Sequence, residues 1–131
     1  ADEGQHEFRY ALYPFNGMAE QAVQAGLRFN VPLLTSATGE TAGQHSYFSV
    51  EPSNVVIDAV KRAEDSDALI VRLYEACGGH AAVTLRSSLN VKSVTRCNLL
   101  EEDEAALEWH HGATQFTLAP FKVVTLKLTL Q

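Results

Sequence analysis

Lys122–Gln131 reads KVVTLKLTLQ. Val124, Leu126, Leu128 and Leu130 alternate with Thr125, Lys127 and Thr129, the period of two expected of a strand with one face in a core and the other in water. The same period runs back through the chain. Thr114 to Leu118 sets Phe116 and Leu118 on one face before Pro120 interrupts it, and Val91 to Leu99 is a further strand. His80 to Arg86 places Ala81, Val83 and Leu85 together, while Ala68 to Ala76 turns Leu69, Val71 and Leu73 one way and Arg72 and Tyr74 the other. Gly78 and Gly79 between these two strands predict a hairpin. Val55 to Val60 and His45 to Val50 flank the turn EPSN, and Glu64, Asp65, Ser66 and Asp67 make a polar turn. EEDEAALEW, from Glu101 to Trp109, reads as a single helical turn or a wide loop.

Toward the N-terminus, Phe8, Tyr10 and Leu12 alternate with Glu7 and Arg9, a half-buried strand from His6 to Leu12 that Pro14 ends. Ala19, Ala22, Val23, Gly26 and Leu27 then recur at helical spacing, with Asn16 as the expected cap. Asn30 to Pro32 break the helix, and LLTSATGETAGQ reads as an exposed loop. Short strands parted by turn signals, with only one helix and so no parallel crossovers, predict an antiparallel β-sandwich of about eight strands with one short helix inserted near the N-terminus. Residues 1–131 form one such domain in this reading.

A chain of 131 residues, 46% of them hydrophobic, is long enough for one self-sufficient core. Ten basic against 16 acidic residues leave a net charge of -6, which provides no field to gather a phosphate backbone or an anionic membrane surface. No apolar run reaches the length that spans a bilayer, and the opening ADEGQHEF lacks the basic and apolar regions of a signal peptide. Cys77 and Cys97, far apart and outside any CxxC spacing, read as reduced thiols in a reducing, cytoplasmic compartment. The abrupt start on charged residues, and a last strand with almost no tail, predict a piece of a longer protein with Gln131 near its natural terminus.

No complete catalytic centre is legible. His110 and His111 are neighbours, and adjacent strand residues point to opposite faces, so they cannot chelate one ion without a bend; they read as exposed loop histidines. Nothing in their spacing joins His6, His45 and His80. Glu64, Asp65 and Asp67 lack the glycine and closing glutamate of an EF-hand loop. Glu101, Glu102, Asp103 and Glu104 project in different directions and repel one another, which unsuits them to act as a glycosidase pair. No serine or cysteine sits in a nucleophile elbow. Were Phe8, Tyr10 and Leu12 to face the core, His6 would share their face, with Asp2, Glu3 and Gly4 in the approach.

The string DEGQHEFRYALYPF, from Asp2 to Phe15, resembles a segment in the C-terminal region of the family 38 glycoside hydrolases, the α-mannosidases, in their bacterial and cytosolic branch. NVPLL at Asn30–Leu34, VKRAEDSDALIVRLYEACGG at Val60–Gly79, RCNLLEE at Arg96–Glu102 and the closing TLAPFKVVTLKL follow in the family's order, so the likeness touches nearly the whole chain. The resemblance implies a retaining α-mannosidase whose N-terminal barrel binds zinc through His and Asp and carries an Asp nucleophile. Those parts lie outside this sequence. It further implies that this chain is the terminal β-sandwich packing against the catalytic region, with Asp2, Gly4 and His6 approaching the sugar cleft: Asp2 accepting hydroxyl hydrogen bonds, Gly4 admitting close backbone approach. Arg72 and Glu75 are expected as a structural ion pair or interface contacts.

Two other classes stay open on the sequence. An independent carbohydrate-binding module would present exposed aromatics, for which Trp109 and Tyr47 are the candidates. A protein-interaction domain would expose apolar surface and could form a homo-oligomer.

Overall fold

A computed structural model describes residues 3–31, 33–35 and 43–131. The chain divides into two compact units, Ala1–Leu34 and Thr35–Gln131.

The described residues of the first unit include helix α1 (Ala19–Asn30). Met18, not Asn16, is its N-cap and contributes no side-chain hydrogen bond, because the helix begins later than the Asn-Gly turn suggested. Glu20 in the first turn and Arg28 in the last complement the helix dipole. Asn30 closes the end by donating to the Gly26 carbonyl at 2.9 Å. The expected strand at His6–Leu12 does not form: residues 5–15 pair with no strand. Phe8, Tyr10 and Leu12 are 80%, 88% and 93% exposed. A two-residue period selects which face could be buried, but only backbone pairing to a neighbouring strand makes a strand, and this stretch has none among the described residues. Most of the loop expected at 33–44 lies outside the described residues.

Among the described residues, the second unit holds eight strands. They are β1 (Phe48–Glu51), β2 (Val55–Arg62), β3 (Leu69–Glu75), β4 (Ala81–Ser87), β5 (Val91–Cys97), β6 (Asp103–Leu107), β7 (Ala113–Leu118) and β8 (Val123–Leu130). They form a three-stranded sheet ordered β1-β4-β7 and a five-stranded sheet ordered β2-β3-β8-β5-β6, with every pairing antiparallel. The sandwich is thus as the alternation predicts, but its membership differs, since β6 replaces the strand expected at His6–Leu12.

Between the sheets, Ala81, Val83, Leu85 and Leu118 meet Val55, Val71, Leu73, Val91, Val94, Val124, Leu126 and Leu128. β8 sits at the centre of the larger sheet, with Leu126 opposite Val71 and Leu128 opposite Leu69 and Val94. Its even-numbered residues therefore carry the core.

Two local expectations give way to this packing. The β3–β4 connection is not a hairpin, because β3 is paired on both edges by β2 and β8 while β4 belongs to the other sheet. Leu69–Leu73 and Ala81–Leu85 are both apolar stripes, and they bury each other better face to face than side by side. The Gly78–Gly79 turn is consequently a corner. The acidic run is an edge strand, β6, whose one half-buried side chain is Leu107. Charge on an edge is tolerated because it faces water and discourages further pairing, and Lys127 and Arg96 reach Asp103 and Glu104 at 2.9 and 3.7 Å.

Candidate functional site

Of the three residues proposed for a substrate rim, Asp2 lies outside the described residues. Gly4 has φ +154 with open space where a Cβ would be, so the need for glycine there is conformational and does not come from crowding within this chain. His6 is exposed. The stretch that follows runs beside α1: the Arg9 guanidinium lies 5.4 Å from the Phe29 ring centroid, and a cavity of about 590 Å³ is lined by Tyr10, Leu12, Ala22 and Gly26 among others.

A more tightly organised centre lies at one end of the sandwich and turns on Glu75, which is 1% exposed. Leu69, Val71, Leu73 and Glu75 are spaced by two, so the strand that turns leucines inward turns this carboxylate inward as well. Its oxygens accept from the backbone amides of Phe121 at 3.0 Å, Cys77 at 2.9 Å and Gly78 at 2.7 Å, and from Asn54 Nδ2 at 2.9 Å. The Phe121 amide is the chief reason its carboxyl is held down to about 2; the Cys77, Asn54 and Gly78 donors add to this, and burial opposes it. One side chain thereby ties together the turns before β2, after β3 and before β8. Arg72, three positions back, is on the other face of the strand and donates to Thr125 Oγ1 at 3.4 Å. The expected Arg72–Glu75 ion pair is therefore not formed.

Gly78 has φ +79, and a Cβ there would lie 2.7 Å from Phe121 Cζ. Gly78→Ala should destabilise the chain by about 1–2 kcal/mol through its left-handed backbone alone, read as a lower urea midpoint with unchanged slope. Displacement of the Phe121 ring should accompany it.

A second carboxylate, Glu101, also lies where no function was expected. It is buried, has φ +68, accepts from Lys61 Nζ at 2.8 Å and from the Glu64 amide at 2.9 Å. The Lys61 hydrogen bond, then the Glu64 amide, holds its carboxyl below the ordinary range, and Lys61 is raised in turn, first by Glu101 and then by Glu64. This pairing joins the turn after β5 to the end of β2.

The outer face of the smaller sheet carries a shallow polar groove of about 300 Å³ lined by Thr84, Arg86, Glu108, His110, His111 and Gln115, together with Ala113. His110 Nε2 is 3.6 Å from Glu108 Oε2. His111, at φ 49, and Gly112, at φ 76, form the turn that leads into β7. Both histidines are exposed, as expected of loop residues. Among the described residues no three His, Cys, Asp or Glu side chains gather as a metal ion would need. They do not fit a zinc site. Neither cysteine is in a disulfide, and Cys97 is buried. No helix among the described residues is long and apolar enough to cross a membrane.

A family model described as the glycosyl hydrolases family 38 C-terminal beta sandwich domain matches residues 54–126, more than half of the chain. The chain belongs to that family. The match runs from the turn before β2 into β8, so the inward Glu75, the Gly78 corner and the Glu101 turn are all within the family 38 sandwich. Human alpha-mannosidase 2C1 is 40% identical over 140 aligned positions, covering 100% of this chain and 14% of the human protein. The mouse alpha-mannosidase 2C1 is 37% identical with the same coverage, and alpha-mannosidase G of Dictyostelium discoideum is 28% identical over 96% of this chain and 12% of its own length. The chain thus spans a small fraction of the length of each of these relatives. The human and mouse matches cover the whole chain, including the segment of Asp2, Gly4 and His6 that precedes the matched domain.

Of the aromatics the sequence offered for sugar stacking, Trp109 is partly buried and packed against the core. Tyr47 is exposed, and the His45 ring meets it edge-on at 4.6 Å. Periodicity did not single out Glu75, Glu101 or Phe121. For Glu75 a signal was present: a carboxylate in step with three core residues must find donors.

Proposed function

We propose that this chain is the non-catalytic C-terminal domain of a retaining, zinc-dependent α-mannosidase acting on α-mannosides in oligosaccharides, and that residues 1–131 support the catalytic barrel of the same polypeptide. The catalytic carboxylates and the zinc ligands would then lie in that barrel, and the enzyme would work in the cytoplasm. The observation that carries this reading is the likeness, along the entire chain, to alpha-mannosidases of which it covers 14%. The exposed alternating face of Phe8, Tyr10 and Leu12 supports it, because an apolar stripe written at strand period and left in water suits a surface supplied by another part of a longer protein.

Within this reading Asp2, Gly4 and His6 line the rim of the sugar cleft: Asp2 accepts from substrate hydroxyls, Gly4 lets backbone approach closely, and His6 presents its ring from the same segment. In the full-length enzyme, Asp2→Ala with His6→Ala should lower kcat/KM toward an α-mannoside by roughly tenfold or more, as loss of positioning groups does, while Tm stays at the parent value. Unchanged kinetics would reject the rim role.

A further inference from the structure

Phe121 is an exposed aromatic that the fold goes to some length to hold. Its backbone is left-handed, at φ +55, a conformation bulky residues seldom adopt. Its amide donates to the buried Glu75 carboxylate at 3.0 Å. The outer end of its ring occupies the space that any side chain at Gly78 would need, with Cζ and Cε2 at 2.7 and 3.0 Å from where a Cβ would stand. Glu75 in turn is fixed by Asn54, Cys77 and Gly78. Left-handed backbone persists at a bulky residue only where surroundings over-determine it. Yet Phe121 so positioned is 71% exposed and lies outside the buried core.

Phe121 borders a groove of about 420 Å³, whose other walls include the apolar Leu99 and Val123 and the charged Arg96, Glu104 and Lys122. Arg96 and Glu104 are 3.7 Å apart, half-exposed and loosely joined. The volume is in the range of small-ligand sites. A pyranose ring offers an apolar C–H face and a rim of hydroxyls. An aromatic platform takes the first; a guanidinium, a carboxylate and an ammonium can donate to and accept from the second. The mixed signs of the charged groups match a neutral polyol better than an anion.

We propose that Phe121 is the stacking platform of a sugar-binding site in which Arg96, Glu104 and Lys122 hold the hydroxyls of an α-mannosyl residue. The choice of α-mannoside rests on the reading given under Proposed function; the platform rests on the geometry at Phe121.

Titration of the 131-residue chain with methyl α-mannoside and with α-mannobiose, followed by amide NMR shifts, tests it. Saturable shifts confined to Cys77–Gly78, Arg96–Leu99 and Phe121–Val123 are expected, with affinity weakened roughly tenfold or more in Phe121→Ala, the effect of losing one stacked ring. Phe121→Leu, which keeps apolar bulk and protects against misfolding, should weaken binding similarly, and Phe121→Trp should retain it. No shift at tens of millimolar sugar, shifts unaffected by Phe121→Leu, or a response to β-glucosides with α-mannosides silent would each overturn the proposal. Hydrolysis of α-mannosides by the full-length enzyme is measured separately. Turnover there with no shift here sinks this site alone, and absence of turnover sinks the parent reading.

Discussion

Glu75→Gln is expected to lower Tm more than substitution of any exposed carboxylate, and to do so most strongly at neutral pH. Four donors converge on the two carboxylate oxygens, three of them backbone amides that cannot turn elsewhere. Glutamine keeps one acceptor and places an NH2 group against amide N–H groups, which leaves buried donors facing a donor. The pH dependence has a definite sign. The Glu75 carboxyl, ordinarily at 4.5, is held at about 2 in the folded chain, so the unfolded chain binds the proton first as pH falls. Its stabilisation is complete above the ordinary value and is lost as pH drops through that window toward the folded value. Urea midpoints of parent and variant should therefore differ widely at pH 7 and converge between about pH 4.5 and 2. A difference independent of pH across that window would show that the carboxylate charge is not what holds the three turns.

Leu126→Ala should be the most damaging apolar truncation in the sandwich, at about 2–5 kcal/mol. Leu126 has no exposure and lies on the central strand of the larger sheet, between Val71 on β3 and Arg96 on β5. Neighbours held by pairing on both sides cannot collapse into the space a lost isobutyl group leaves, so the cavity remains. Leu130, at the end of the same strand and partly exposed, should respond to alanine by well under half as much. Chemical denaturation of both variants checks the ranking; equal losses would mean that β8 is not central to the core.

Much of the sandwich was legible in local pattern. The apolar residues of β3, β4 and β8 lie where their period placed them, since a strand has only two faces and the core takes one. The acidic run escaped because an edge strand buries almost nothing, and only Leu107 marks it. The strings quoted for the resemblance pointed to the family that the chain belongs to, while the rim proposed for Asp2, Gly4 and His6 is written in no local pattern.

Side-chain period, turn residues and charge, all properties of neighbours along the chain, were enough to establish a two-layer β domain of net negative charge. Which strands share a sheet, that Gly78 turns a corner between layers, and that Glu75 gathers Asn54, Cys77, Gly78 and Phe121 depend on contacts between residues as far apart in sequence as Leu69 and Leu128. Such contacts are selected by burying two apolar faces against each other at once. No local window contains both faces, so the pairing emerges only when the whole chain packs.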